Sequence, residues 1–389
     1  MTSSLITKAT LLISLRLNDT ADGARPLSLS EYHHLAQWLE ARGLALASLL
    51  RADVKAVLRE YPAADRLLRL LRRAGEVDSA LNRWEAMGIW ALGERDPEFP
   101  ERLRRRLKTA CLPFLFGAGT RETLQQGGLC VVGSRDSPAE SLEFAATVGA
   151  RAGSQGLVVI SSDMRGIDRE AISAALASGG RVICVLSDNL EKAVASKRYR
   201  EALATGRASL VTPFPPDTRF AIANAMRANR YQYALSDAAI VVESRQTGGI
   251  WSGADENRKY KWVPAFVRAG ANVSSGNSAL LHLGLLPITQ REVERSASLA
   301  QLLIERAGSA SETRPAKAPV AAPGAAGTDL FGIFAAELER LDESITRSDT
   351  AVARHFGIEL LQARAWLARA RLQDCLATEG RADFANDQA

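Results

Sequence analysis

Short runs of aliphatic and β-branched residues alternate with helical stretches from residue 129 onward. Six runs are predicted as buried strands, at 129–133, 157–161, 181–186, 208–212, 238–243 and 261–267. Helices are predicted between them, over 139–155, 167–178, 191–204, 217–234 and 250–258. Because buried strands that alternate with helices form βαβ crossovers, the pattern predicts an α/β fold with a doubly wound, mainly parallel sheet.

The first 85 residues carry a helical pattern throughout. Ser30 is predicted to cap a helix that ends at Gly43, and further helices are predicted over 54–59 and 66–76. The last of these helices carries four arginines between positions 66 and 73. They form either a solvated face or a basic patch that helps to hold nucleic acid.

The composition changes again after Arg306, where Ala, Pro, Gly and Ser dominate and no hydrophobic period is left. Such a segment predicts a flexible linker. Beyond it, a helix capped by Ser348, a turn at Gly357 and a second helix have helix–turn–helix form. The predicted organisation is a helical (SAM-like) domain at 1–85, a Rossmann-like domain at 86–306, a linker at 307–328 and a winged-helix-like domain at 329–389.

Overall composition excludes several classes of protein. The chain has 389 residues, of which 47% are hydrophobic and 24% charged, close to the globular average. No apolar run reaches the roughly 18 residues of a membrane span, and the first residues lack the features of a secretion signal. The sequence therefore predicts a cytoplasmic protein without a membrane contact. Its 4 cysteines and 4 histidines show no metal-ligand spacing, so neither a metal nor a cofactor is expected.

The charge favours nucleic acid as a partner, but only weakly. The formal net charge is +5, and 41 of the 49 basic residues are arginine. Arginine presents a planar fork of donors that suits phosphates and base edges. A GC-rich genome gives the same bias without any functional meaning, so nucleic acid is a candidate here and nothing firmer.

Four segments with anion-binding character lie at the ends of predicted strands or face them. They are Gly133, Ser134 and Arg135; Arg165, Gly166, Ile167 and Asp168; Ala228, Asn229, Arg230 and Tyr231; and Thr247, Gly248 and Gly249. Glycine lets the backbone approach a ligand closely, and arginines and helix N-termini attract anions. Ligands of doubly wound sheets bind beyond the carboxyl ends of the strands. Together the segments predict one positively charged, phosphate-binding pocket. The sequence contains neither a G-x-G-x-x-G fingerprint nor a P-loop, which disfavours dinucleotide binding and P-loop hydrolysis.

The ordered set of these motifs resembles the DprA/Smf family of DNA-processing proteins. The resemblance covers about residues 85–290 and includes LPFLFGAG (112–119), RGIDREA (165–171) and TGGIWSG (247–253). It implies a cytoplasmic protein that binds single-stranded DNA in its Rossmann-like domain and forms a homodimer. Family members that act in transformation also load the RecA recombinase.

The chain departs from the family pattern close to the pocket. Ala228 replaces the first arginine of the R-N-R motif, and Ile172 replaces a histidine. Segment 162–164 replaces G-x-A and brings a carboxylate near the pocket, and segment 267–268 replaces Pro-Gly. These changes indicate a divergent branch. DprA-like proteins of that kind also occur beside toxins in anti-phage modules such as ShosTA systems, so a toxin is a second possible protein partner.

Three functions therefore stay open. The leading hypothesis is a non-enzymatic single-stranded DNA-binding protein in DNA processing, recombination or anti-phage defence, with Arg135, Arg165 and Arg230 on the phosphates. The second is an enzyme like the phosphoribohydrolases, which the family resembles and which use an Arg and a Glu near the Gly-rich turn. Glu256 is the one evident candidate, although a solvated helix face explains it more simply. The third is an antitoxin that restrains a toxin.

Two further expectations concern stacking and assembly. Tyr231, Tyr233 and Trp251 lie near the pocket motifs and serve either as core residues or as platforms for bases. The apolar segments 261–267 and 279–288 lie near the end of the expected sheet order, where an uncovered edge favours pairing with another chain.

Overall fold

A nine-stranded sheet forms the centre of the part of the chain that the structure describes. The structure is a computed structural model that describes residues 3–16, 24–312, 348–356 and 367. The strands are β1 (Ile89–Gly93), β2 (Phe114–Gly119), β3 (Leu129–Gly133), β4 (Val159–Ser161), β5 (Val182–Val185), β6 (Ala208–Thr212), β7 (Ala238–Glu243), β8 (Ala265–Arg268) and β9 (Leu286–Ile288). Their order across the sheet is β1-β2-β6-β5-β4-β3-β7-β8-β9.

The sheet is parallel from β6 to β9, and β1 and β2 extend it at one edge as antiparallel strands. The chain builds outward from β3 to β6 in one direction and then from β7 to β9 in the other. This reversal defines a doubly wound sheet with its switch point between β3 and β7. The predicted Rossmann-like α/β fold is therefore confirmed.

Helices cover both faces of the sheet. They are α1 (Leu5–Ser14), α2 (Leu29–Glu40), α3 (Val54–Val57), α4 (Ala64–Leu71), α5 (Ala74–Ala86), α6 (Glu101–Leu107), α7 (Thr123–Gln126), α8 (Ala139–Ser154), α9 (Ile167–Ala177), α10 (Leu190–Ala195), α11 (Lys197–Ala204), α12 (Ile222–Leu235), α13 (Gly249–Tyr260), α14 (Ser275–His282), α15 (Gln290–Arg295) and α16 (Leu299–Glu312). In the described residues none of these helices is long and apolar enough to cross a membrane.

The core divides between the two faces. Helices α1, α5, α8 and α9 pack on one face, where Trp84 of α5 meets Phe116 of β2 with ring centroids 5.0 Å apart. Helices α6 and α12 cover the other face beside β4 to β6, and α13 and α14 cover it beside β7 and β8. The N-terminal helices therefore bury apolar surface against the sheet as well as against each other, since a separate cluster joins α1, α2 and α4.

All six predicted strands are present, but several limits differ from the prediction. The strand predicted at 261–267 is Ala265–Arg268, since Pro264 cannot donate to the sheet and residues 261–263 form the turn that follows α13, with Lys261 as its left-handed C-cap. The helix predicted at 191–204 is divided into α10 and α11 by the extended backbone of Ser196. The prediction lacks β1, β2 and β9. Strands β1 and β2 precede the βαβ alternation that starts at residue 129, and β9 is a three-residue edge strand that contains a proline.

The N-terminal predictions also need two corrections. The cap of α2 is Ser28 and not Ser30: the Ser28 hydroxyl accepts the Glu31 N–H at 3.4 Å, and the Glu31 carboxylate accepts the Ser28 N–H at 2.7 Å. This capping box starts the helix at Leu29. The helix predicted at 66–76 is two helices, α4 and α5.

Two of the four arginines of this region have structural roles. Arg73 is 4% exposed and donates to the carbonyls of Leu12 and Leu15. Arg66 pairs with Glu31 at 2.6 Å. These two side chains hold helices α1, α2 and α4 together, and so they form neither a solvated face nor a patch for nucleic acid.

Residues 3–16 and 24–312 belong to one compact unit, Met1–Arg314, and the other described residues belong to a second, Pro315–Ala389. In the second unit, helix α17 (Asp349–Phe356) starts where predicted, with the Ser348 hydroxyl accepting the Ala351 N–H at 3.3 Å. Residues 307–312, which were predicted as the start of the linker, form the end of α16. The rest of the predicted linker and most of the predicted winged-helix-like domain lie outside the described residues. The predicted domain boundaries stay predictions.

Candidate nucleic-acid interface

The reversal of strand order places two Gly-rich loops side by side at the carboxyl edge of the sheet. One loop follows β3 and leads into α8, and the other follows β7 and leads into α13. The Ser134 N–H donates to the Glu243 carbonyl at 2.9 Å and so joins the two strand ends. We call the region formed by residues 133–138, 162–168 and 244–249 the switch-point crevice. Ligands of doubly wound sheets bind at this position.

Gly166 brings the second predicted segment against the first. Its φ is +89°, and a Cβ atom built on it would lie 2.4 Å from the Arg135 carbonyl oxygen and 2.6 Å from that of Ser134. Only glycine combines this backbone conformation with so close an approach. The loop after β4 therefore turns directly beneath the loop after β3.

Asp168 holds the loop after β3 in place through hydrogen bonds. Its carboxylate is buried and accepts hydrogen bonds from the Gly133 N–H, at 3.1 Å, and from the Ser162 hydroxyl. Burial raises the pKa of Asp168 to about 7, although both hydrogen bonds lower it. Because protein donors engage both of its oxygens, Asp168 positions the loop and does not face an incoming phosphate.

The third and fourth predicted segments also meet. The Asn229 side-chain amide donates to the Gly249 carbonyl at 3.1 Å, which connects α12 to the start of α13. Thr247, Gly248 and Gly249 are exposed, and Gly248 has a φ of +97° with open space around it. Next to this contact, the Arg230 Nε lies 2.9 Å from a Glu256 carboxylate oxygen.

The three predicted phosphate-binding arginines have different surroundings. Arg165 pairs with Asp136, and Arg230 pairs with Glu256. Within the described residues, Arg135 has no carboxylate at ion-pair distance. It is exposed, and its guanidinium lies 5.3 Å from the centroid of the Phe220 ring. Of these three arginines, Arg135 is therefore the most available to an anionic ligand.

The four segments thus form two contacting pairs, joined by two links. One link is the hydrogen bond from Ser134 to the end of β7. The other is the contact of Arg135 with Phe220, which lies two residues before the start of α12. Asp163, the carboxylate of the segment that replaces G-x-A, is held by Arg198 at 3.3 Å and lies 3.8 Å from Arg169. Its negative charge near the crevice is therefore compensated by these two cations.

A buried ion pair that sequence reasoning missed supports the crevice from the side of β8. A Glu243 carboxylate oxygen accepts from Arg268 at 3.0 Å and from the Ser141 hydroxyl at 2.6 Å. Both charged residues are less than 9% exposed. The available signal was a charged residue at the end of each of two neighbouring apolar strands. A second support is Asn277, whose side-chain oxygen accepts the Ser244 N–H at 2.9 Å and fixes the start of the loop after β7.

The aromatic residues near the motifs prove to be of two kinds. Tyr231 and Tyr233 are each 1% exposed, and the Tyr231 hydroxyl accepts the Leu112 N–H at 2.7 Å, so both belong to the core. Phe220, by contrast, is 45% exposed beside Arg135. Sequence reasoning missed Phe220, although the apolar residues around the start of α12 do not follow the buried face of that helix.

The chain is similar to a known protein family in sequence. A sequence profile of the DNA recombination-mediator protein A family matches residues 90–292, which is more than half of the chain. The chain belongs to the DNA recombination-mediator protein A (DprA) family. This confirms the resemblance to DprA/Smf proteins. No curated protein matches the sequence.

Solved structures of DprA proteins support the fold. The chain is similar to DNA processing protein A from Streptococcus pneumoniae, with a TM-score of 0.57 and 17% identity over 76% of this chain and 98% of that chain. It is also similar to DNA processing protein A from Helicobacter pylori, whose single-stranded DNA binding mode has been studied, with a TM-score of 0.47, 21% identity, and 56% and 97% coverage. The first of these likenesses confirms the Rossmann-like fold of this DprA-family chain.

Proposed function

We propose that this DprA-family protein binds single-stranded DNA through its phosphates at the switch-point crevice, in the cytoplasm, and acts in DNA processing or recombination. The observation that carries the proposal is Arg135, an exposed cation without a carboxylate partner in the described residues, beside the exposed ring of Phe220. Single-strand binders combine these two elements, a cation for the backbone and a ring for the bases. The H. pylori protein, whose single-stranded DNA binding mode has been studied, supports single-stranded DNA as the ligand.

The crevice offers a physical route to sequence-independent binding. Arg135 engages a phosphate directly, and Arg165 exchanges its exposed partner Asp136 for a neighbouring phosphate. The exchange costs little, since an exposed ion pair contributes roughly 0–1 kcal/mol. The start of α13, behind Gly248, adds the N-terminal end of a helix dipole. None of these groups reads a base, so the proposal predicts little sequence preference.

The proposal is tested with a fluorescent single-stranded oligonucleotide in anisotropy titrations. The wild type should bind with an affinity that falls as salt rises, and an unlabelled single strand should compete better than a duplex. Absence of salt-dependent binding, or equal competition by duplex DNA, would contradict the proposal.

A phosphoribohydrolase-like activity is the second candidate, and the pair of Arg230 and Glu256 beside the Gly249 turn is the observation that favours it. We propose that the protein is not an enzyme, because a structural ion pair that joins α12 to α13 explains Arg230 and Glu256 more simply. Incubation with nucleoside monophosphates and chromatography of the products tests this. Release of a free base that stops in the Glu256→Gln variant would establish the enzyme instead.

For assembly, we propose a homodimer with a protein partner that is either a recombinase or a toxin. Family membership supports the recombinase, and the departures at 162–164 and 267–268 support the toxin of an anti-phage module. Gene neighbourhood distinguishes the two at once. Co-purification with RecA, or with the product of an adjacent toxin gene, then identifies the partner.

A further inference from the structure

A large cleft lies between the N-terminal helices and the segments that follow β5 and β6, away from the motifs that define the crevice. It has a volume of about 1210 Å³ and is lined by the end of α1, by α5, by the start of α10 and by the loop before α12. We call it the N-terminal cleft. Its lining residues are Leu15, Arg16, Glu76, Ser79, Ala80, Arg83, Trp84, Asn189, Lys192, Pro215, Asp217, Thr218 and Arg219.

The N-terminal cleft is mainly cationic. Four cations line it, each from a different element, against the two carboxylates of Glu76 and Asp217. Lys192 and Arg219 are exposed and form no ion pair within the described residues. Ser79 and Asn189 add polar groups from opposite walls. Cations that converge from separate elements on one open cleft form an electrostatic footprint for a polyanion.

One wall of the cleft is held in place by internal contacts. The Trp84 indole N–H donates to a Glu191 carboxylate oxygen at 3.0 Å, and Arg83 lies 3.4 Å from the same oxygen. These contacts tie α5 to α10 and therefore fix the separation of the two walls. The cleft is thus formed before any ligand binds.

Adjacent residues link the cleft to the switch-point crevice. Arg219 lines the cleft, and the next residue, Phe220, lies beneath the guanidinium of Arg135. Ile222, two residues further, is 74% exposed. A strand that is held by Arg135 and Phe220 therefore lies next to Arg219, a cation of the cleft, where Asp217 is the carboxylate of the same wall.

We propose that the N-terminal cleft is a second section of the nucleic-acid path, which takes the single strand as it leaves the crevice. This inference rests on the proposed function and adds to it a role for the N-terminal helices. The cleft holds phosphates by Lys192, Arg219 and the cations opposite them. The proposed path predicts that affinity for DNA increases with strand length, because a short strand occupies only the crevice.

The test places negative charge in the cleft and leaves the crevice unchanged. Ser79 and Lys192 lie on opposite walls and are both exposed, so the Ser79→Glu/Lys192→Glu variant repels a strand from both sides. The control variant, Lys55→Glu/Ala56→Glu, changes the net charge equally at two exposed positions of α3 that do not line the cleft. Anisotropy is measured with oligothymidylates of about 6 and about 20 nucleotides, which bracket the site sizes of single-strand binders.

We expect the cleft variant to match the wild type on the short strand and to bind the long strand roughly tenfold more weakly, with a smaller salt slope. The control variant should match the wild type at both lengths. Equal affinity of wild type and cleft variant for the long strand overturns the inference, as does an equal loss at both lengths. A wild type that binds neither strand overturns the proposed function as well, so the two failures are distinguishable.

A second measurement does not require the Ser79→Glu/Lys192→Glu variant to fold. Ser79→Cys is labelled with a photoreactive group and irradiated with each oligonucleotide. Crosslinking of the long strand but not of the short strand supports the proposed path. Loss of this crosslinking when a mononucleotide competes would identify a small anion as the occupant of the cleft and overturn the proposal.

Discussion

At the scale of single residues, the surroundings of each cation decide its use. Arg135, Arg165 and Arg230 look alike in the sequence, yet they differ in the structure because only the last two have carboxylate partners. Arg73 and Arg268 are buried and donate to protein acceptors. An arginine-rich composition therefore says little about how many arginines are available to a ligand.

Replacement of Arg135 by alanine should weaken single-strand binding for all sequences, since a phosphate contact carries no base information. The log–log dependence of affinity on salt should become less steep by roughly 0.7 for the one lost contact. Arg227→Ala, at an exposed site on α12, serves as the comparison for loss of one positive charge. Salt slopes of wild type and Arg135→Ala that agree within error would rule out a phosphate contact there.

Asp168 should make the stability depend on pH. Its pKa rises from the usual 3.8 to about 7 on folding, so between these values the folded protein binds a proton that the unfolded chain releases. Its contribution is fully present below about pH 4 and is lost as the pH rises through 7. In the comparison variant Asp168→Asn, the amide oxygen accepts the Gly133 N–H and the amide N–H donates to the Ser162 hydroxyl oxygen. Relative to this variant, the wild type should lose on the order of 4 kcal/mol between these limits.

Denaturant unfolding of both proteins from pH 4 to pH 8 measures this difference. Asp65→Asn, at an exposed site on α4, controls for the loss of one carboxylate. A constant difference between wild type and Asp168→Asn across the range would show that the carboxyl group is not desolvated.

At the scale of elements, buried side chains and one close backbone approach hold the loops at the switch point. Gly166 and the Asp168 carboxylate hold the loop after β3, and Asn277 holds the loop after β7. The buried pair of Glu243 and Arg268 spans β7 and β8 and connects them to α8 through Ser141. Each loop is therefore fixed before a ligand binds, which reduces the entropy that binding costs.

Gly166→Ala should destabilise the protein and weaken DNA binding together. An added Cβ meets two carbonyl oxygens at less than 3 Å, in addition to the strain of a φ of +89°. Gly156→Ala is a matched control, because Gly156 has a φ of +76° and nothing within 4 Å. The control should cost about 1 kcal/mol, and Gly166→Ala should cost several times that value. Equal unfolding free energies of the two variants would contradict the close approach.

Arg268→Met should cost about 3–5 kcal/mol, because it leaves the Glu243 carboxylate buried without its cation. The double variant Arg268→Met/Glu243→Gln should recover much of that loss, since no uncompensated charge is left. Thermal unfolding of the two single variants and the double variant forms a double-mutant cycle. Strictly additive effects would show that the two residues do not interact.

At the scale of the whole molecule, the sheet edges bear on assembly. The parallel edge ends in β9, a strand of three residues with an exposed Pro287, and β9 covers β8. Short strands with proline resist pairing with another chain. The uncovered sheet edge that the sequence suggested therefore does not support dimerisation, and the expected homodimer rests on family membership alone.

We still expect light scattering at micromolar concentration to give twice the chain mass of 41.9 kDa. Two linked crevices would raise the affinity for long strands without any new contact in either one. A mass near that of the single chain at every concentration, with and without DNA, would exclude the dimer. The length dependence expected for the N-terminal cleft would then have to arise within one chain.

The sequence by itself determined the order of the central elements and the limits of three strands, β3, β6 and β7. Apolar runs of five or six residues are buried on both faces of a parallel sheet, and glycines mark the turns after them, so residues 129–133 and 238–243 needed no tertiary information. The family motifs identified the loops for the same local reason. The antiparallel strands 89–93 and 114–119 lie outside the βαβ alternation and were missed.

Only the tertiary structure decided which of the motif residues face a ligand. Asp168 belongs to the motif but lies beneath the loop, and Phe220 belongs to no motif but lies beside Arg135. Both results depend on packing between segments far apart in the chain, as do the partners of Arg165 and Arg230. Pairing of charges and exposure are properties of distances in space, and a local pattern does not contain them.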